Sequence, residues 1–234
     1  MLILNNGAPK SGSTWMQTIL REALTPEFPE SQWRNDWKNP SVDPARLGAF
    51  IASSDWHVND VLVKLHVPAS KDMAFLQRDD VRVIVTVRHT PDSVLSWFHH
   101  QIRLGKASLN KKQQWFETTG LRFADRIRAH RLSWVLEPRA IHIRYEDLLT
   151  HPVRELQDIM AHLGKHISID SLQQVVNRTM VKRAPNEPPH EGQHIRTAGI
   201  SVADKEIPPE ILQHLKTHDF ETETQIRALR SGRG

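Results

Sequence analysis

Apolar residues along this chain come in two spacings. Leu2–Leu4, Val61–His66 (VLVKLH), Val81–Val87 (VRVIVTV) and Ala140–Tyr145 (AIHIRY) are short apolar runs, several of them rich in β-branched residues, and they read as strands. Between them the apolar positions recur at helical spacing. Trp15/Met16, Ile19/Leu20 and Ala23/Leu24 mark one helix. Thr90, a good N-cap, and Pro91, a good first helical residue, open a second that runs through about Arg103. A third spans 121–136, carried by Leu121, Phe123, Ile127, Leu132 and Val135, with its arginines expected on a solvated face. Others follow from Pro152 to Leu163, at about 168–178, and at about 208–218 after Pro208-Pro209. Strands alternating with helices predict an α/β fold with a mostly parallel sheet. Residues 1–218 are expected to form one domain and 219–234 a frayed tail.

Two stretches lack periodicity. Residues 25–58 combine Pro26, Pro29, Pro40 and Pro44 with Trp33, Trp37 and Trp56. These tryptophans either line a pocket or plug the loop onto the core. Residues 184–200 are rich in Pro, Gly and His, the composition of a lid or a disordered segment.

Composition narrows the chemistry. With 234 residues, 38% hydrophobic and 25% charged, the chain reads as an ordinary globular protein. It has no cysteine, which removes disulfides, thiolate metal sites and cysteine nucleophiles from consideration. No apolar run approaches membrane-span length and no signal peptide is visible, so a cytoplasmic location is expected. A formal net charge of +4, without a clustered basic stripe, favours a small anionic ligand over nucleic acid.

The candidate anion site is the break after the first strand. Gly7, Pro9 and Gly12 end the strand, and Ser13/Thr14 open the helix. Such a loop directs unpaired N–H groups at one point, and the helix dipole adds positive charge. Lys10, Ser11, Ser13 and Thr14 contribute a cation and hydroxyls, and phosphate is the natural occupant. The spacing approaches G-x-x-x-x-G-K-[ST], but the lysine sits at Lys10 and Ser13 holds its usual place.

PKSGSTWM resembles the 5′-phosphosulfate loop of the cytosolic-type sulfotransferases, PKSGTTWL, which use 3′-phosphoadenosine 5′-phosphosulfate (PAPS) as donor. KLHVP resembles their KTHLP segment, which makes His66 the implied catalytic base, with Lys64 supporting it. RHTPDSVLSWFHH resembles their 3′-phosphate motif RNPKDVLVSYYHF, with Arg88 and Ser96 at its eight-residue spacing; His99 and His100 are read as structural or surface groups. YEDL, from Tyr145, matches a segment whose tyrosine lies near adenine, and Thr179 falls where the family places an adenine contact. Val181 replaces an aromatic there, which leaves stacking to Trp15. Arg196, in RTAG, is a degraded match to R-K-G-x-x-G-x-W and still implies a 3′-phosphate contact.

The resemblance implies a P-loop-type three-layer sulfotransferase domain and transfer of sulfonate to a small-molecule hydroxyl or amine. Lys10 would stabilise the leaving group, Ser11, Gly12, Ser13 and Thr14 would hold the 5′-phosphate, and no metal would be needed. Two other readings compete: a P-loop kinase or NTPase, and a module that binds the desulfonated nucleotide (PAP) without catalysis. The family's C-terminal dimer motif is not evident, so the oligomeric state stays open.

Overall fold

A computed structural model describes residues 1–24, 52, 60–70, 73–180 and 203–232. Trp33, Trp37, Trp56, the aperiodic stretch around Arg196 and Val181 lie outside these residues.

Four parallel strands, β1 (Leu2–Asn6), β2 (Val61–Leu65), β3 (Val81–Val87) and β4 (Ala140–Arg144), form one sheet in the order β2-β1-β3-β4. All four predicted runs are strands, and those ending in His66 and Tyr145 stop one residue short of them. In register, Leu4 faces Val63 on one side and Val83 on the other. Alternation therefore puts Leu2, Leu4, Val61, Val63, Val81, Val83 and Val85 on one face, packed against Trp134 and the turn Ala74–Gln77. The other face presents Ile3, Ile84 and Ile143 to three helices: α1 (Ser13–Ala23), α5 (Pro152–His162) and α6 (Ile169–Thr179). Helices therefore flank the sheet, as the alternating pattern requires.

A third apolar cluster joins α2 (Thr90–Arg103) to α3 (Leu121–Trp134) and to the long C-terminal helix α7 (Pro209–Ser231). The short helix α4 (Tyr145–Thr150) follows β4 directly. Among the described residues no helix is long and apolar enough to cross a membrane.

Three expectations are corrected. Residues 219–231 are not frayed: α7 continues to Ser231, because its inner face carries buried polar groups, Asp219 and Thr222, beside Ile226. Arg131 does not belong to a solvated face; it is 3% exposed and ion-paired to Asp219 and Glu223. Thr90 is the first helical residue of α2, not its N-cap, and its hydroxyl donates to Asp219 instead of to its own helix.

Strand order fixes where a ligand can bind. The chain passes from β1 outward to β2, then returns to the other side for β3 and β4. The connections leave β1 and β3 in opposite directions, opening a crevice at the carboxyl ends of those two strands. The loop after Asn6 and the corner after Val87 meet there.

Candidate functional site

Glycine is obligatory at both ends of the β1–α1 loop. A Cβ on Gly7 would stand 1.8 Å from the Thr86 hydroxyl oxygen and 2.6 Å from that of Ser11. One on Gly12, whose φ is +94°, would stand 2.4 Å from Cδ2 of Tyr145. Lys10 itself holds φ 69°, a left-handed conformation costing an L-residue roughly 1–2 kcal/mol. Ser11 braces the loop from within: its N–H and hydroxyl both meet the Ala8 carbonyl, at 3.1 and 2.6 Å, and its oxygen lies 2.8 Å from that of Thr86. The Ser11 hydroxyl is thus engaged by the loop and by β3. Gly12, Ser13 and Thr14 lie at the start of α1, where the leading N–H groups have no carbonyl of their own helix to meet.

Across from the loop stand His66 and Lys64. The Nδ1 of His66 lies 2.6 Å from the Gly7 carbonyl. A carbonyl can only accept, so Nδ1 carries the proton and Nε2 is left as the free lone pair. Asn6 locks the same spot, donating to the Val67 carbonyl (2.9 Å) and accepting from the Val67 N–H (3.0 Å). Lys64 reaches over β1 to donate to the Thr14 hydroxyl at 2.7 Å.

On the far side, the Arg88 guanidinium carbon sits 4.4 Å from the centre of the Tyr145 ring, and Trp15 meets that ring edge-on with centroids 6.2 Å apart. The buried Trp15 indole N–H finds no acceptor among the described residues. Ser96 lies half-buried on α2, two turns beyond Arg88. The Thr179 hydroxyl donates to the Val175 carbonyl of its own helix at 2.8 Å.

Electrostatics give the crevice its sign. Burial, then the charges of Arg103, Lys64 and Arg88, lower Lys10 to about 8. Burial also lowers Lys64. For His66, burial dominates; the Gly7 bond works against it, Lys64 and Lys10 work with it, and the ring ends at about 4. At neutral pH the site thus holds a neutral imidazole with one fixed acceptor nitrogen, opposite ammonium and guanidinium groups crowded together. Such crowding costs energy that a multivalent anion would return. The arrangement can bind a polyanion and take a proton from a neighbouring hydroxyl.

The sequence motifs brought Lys10, Lys64, His66, Arg88, Trp15 and Tyr145 to one crevice. They missed the supports. Asn5 and Asn6, two amides closing an apolar strand, were the visible signal for one of them: Asn5 donates to the Ser13 carbonyl and to Gln17, tying β1 to α1. Thr86, a polar residue inside a β-branched run, was another. Arg103 gave no sequence signal beyond its place at the end of α2.

A family model described as "Sulfotransferase domain" matches residues 3–208. Among curated proteins, the chain is 23% identical over 192 residues to sulfotransferase 1B1 of Canis lupus familiaris, covering 77% of this chain and 64% of that protein. It is 21% identical to sulfotransferase 1C2 of Rattus norvegicus over 220 residues, 86% of this chain and 70% of that protein. The match thus spans less than two thirds of the dog protein's length. Among solved structures, mouse sulfotransferase SULT7A1 complexed with PAP superposes with a TM-score of 0.66 at 15% identity, covering 98% of this chain and 88% of that one. Retinol dehydratase in complex with androsterone and PAP gives 0.62 at 15% identity, over 94% and 80% of the two chains. These structural likenesses establish the fold.

Proposed function

Because the chain belongs to the sulfotransferase family, we propose that it moves the sulfonate of PAPS to a hydroxyl or amine of a small-molecule acceptor. The observation that carries this reading is the crevice between β1 and β3, where a neutral His66 with its free nitrogen fixed by Gly7 faces the crowded cations around Lys10.

In this reading the 5′-phosphate rests on the leading N–H groups of α1 and the hydroxyls of Ser13 and Thr14. Arg88 and Ser96 take the 3′-phosphate, with Arg196 completing the contact. Trp15 and Tyr145 border the adenine, and Thr179 lies at the end of the helix packed beside them. The acceptor oxygen gives its proton to Nε2 of His66 and bonds to sulfur. The bond from sulfur to the 5′-phosphate oxygen breaks, and its electron pair stays on that oxygen. Lys10 stabilises the charge that grows there, so it helps the transition state more than the ground state. Lys64, bonded to Thr14, adds positive charge and holds the loop hydroxyl. A kinase reading would need a lysine where Ser13 stands and an acid where Arg88 stands.

The test is transfer of labelled sulfonate from PAPS across an acceptor panel, with Lys10→Ala and His66→Ala alongside. Each variant should fold and lose turnover by about 10²–10⁴-fold. Near-normal turnover in a folded variant would strip that residue of its role. Calorimetry should give tight binding of PAP and weak binding of ATP with Mg²⁺; the reverse would support a nucleotide kinase instead.

A further inference from the structure

The C-terminal helix α7 lies beyond the matched residues 3–208, yet it holds both flanks of Arg88. Its Asp219, 7% exposed, accepts from the backbone N–H of Thr90 (3.3 Å), from the Thr90 hydroxyl and from Nη1 of Arg131 (2.8 Å). The Nε2 of His89 is 3.6 Å from the other carboxylate oxygen. One helical turn later, Glu223 accepts from Nη2 of Arg131 and from Nη1 of Arg144 (2.8 Å). Arg144 directly precedes Tyr145, whose ring lies under the Arg88 guanidinium. From the opposite side, Glu146 accepts the His89 N–H at 3.0 Å. The β3–α2 corner is therefore set by carboxylates, and the two from α7 form one face of that helix.

We propose that Asp219 and Glu223 are positioning residues for the 3′-phosphate subsite: the C-terminal helix sets the pose of Arg88, and through it the preference for a 3′-phosphorylated nucleotide. Neither carboxylate touches the nucleotide. Asp219 at the start of α2 also occupies the positive end of that helix, so the phosphate must be met by the Arg88 side chain rather than by the helix terminus. This inference rests on the assignment of Arg88 to the 3′-phosphate. A merely structural network would stabilise the fold without altering which nucleotide is preferred, so the readout is a ratio of affinities.

Calorimetry with PAP and with 5′-AMP gives that ratio for wild type, Arg88→Ala, Thr90→Val, Thr90→Ser and Asp219→Asn. Thr90→Val removes one donor to Asp219 and leaves its pairing with Arg131 intact. The PAP:AMP preference should fall about five- to tenfold in Thr90→Val and Asp219→Asn, and be retained in Thr90→Ser. Arg88→Ala should abolish it. Wild-type preference in Arg88→Ala would remove the 3′-phosphate assignment itself. Loss in Arg88→Ala with wild-type preference in Thr90→Val and Asp219→Asn would overturn the role of α7 alone. Should those variants not fold, hydrogen exchange on the wild-type protein decides: PAP, and not AMP, should slow exchange around Asp219. Equal protection by both nucleotides would refute the coupling.

Discussion

At the scale of single residues, the site turns on two protonation states. His66 is lowered to about 4 chiefly by burial, and Lys10 to about 8 by burial and then by Arg103, Lys64 and Arg88. The proposed base must be neutral and the proposed ammonium charged, so both are correct only between those values. The profile of kcat/KM against pH should therefore be a bell, with an acid limb near 4 and an alkaline limb near 8. Bound PAPS would place negative charge beside Lys10 and favour its protonated form, so the alkaline limb of kcat should lie higher than that of kcat/KM. An alkaline limb at the same pH in both profiles would show that Lys10 does not face the donor. The identities of these two residues were legible in PKSGSTWM and KLHVP. The imidazole tautomer was not, because a carbonyl 59 positions away in sequence sets it. The bracing role of Ser11 was hidden for a related reason: a serine in an anion loop reads as a ligand contact, and its bonds to Ala8 and Thr86 appear only once the strands are assembled.

At the scale of elements, the loop between β1 and α1 depends on two glycines for different reasons. Gly7 lacks space, and Gly12 lacks both space and an ordinary backbone conformation. Gly12→Ala should push the Tyr145 ring away from the loop and lower PAP affinity severalfold, with a stability loss of about 1–3 kcal/mol. Gly164 supplies the control. It also has positive φ (+66°), but a Cβ there would meet nothing within 4 Å. Gly164→Ala should cost only the left-handed backbone term, about 1–2 kcal/mol, and leave PAP affinity unchanged. Equal binding losses in both variants, measured by calorimetry beside thermal unfolding, would mean that contact with Tyr145 is irrelevant. The strands were readable because β-branched runs such as VRVIVTV suit a sheet buried on both faces. The second half of α7 was not, since its inward positions include His218, Asp219 and Thr222 while Phe220 is 71% exposed. Hydrophobic period fails where a helix is held by ion pairs instead of an apolar stripe.

For the whole molecule, stability and catalysis make opposite demands on buried histidine. His130 is 3% exposed, and among the described residues neither ring nitrogen has a hydrogen-bond partner. Burial, followed by His66 and His142, lowers it to about 3; His142 is lowered to about 4 by burial, Arg230 and Arg131. All three rings are neutral in the folded protein, whereas in the unfolded chain they take protons near the ordinary value of 6.5. Between roughly pH 6.5 and 4 the unfolded state therefore binds more protons, and stability must fall as the pH is lowered through that window. For His130 alone, moving from pH 7.5 to 5.0 should remove about 2 kcal/mol. His66 is held neutral by burial and, beyond that, by Lys64 and Lys10, so its part of this acid sensitivity comes with the proposed chemistry. His130 has no such role and only adds to the loss. His130→Leu should thus be folded at pH 7.5, and its urea-unfolding free energy should drop less than that of wild type at pH 5.0, by about 2 kcal/mol. An identical drop in both proteins would mean that His130 takes up its proton as readily in the native fold as in the unfolded chain.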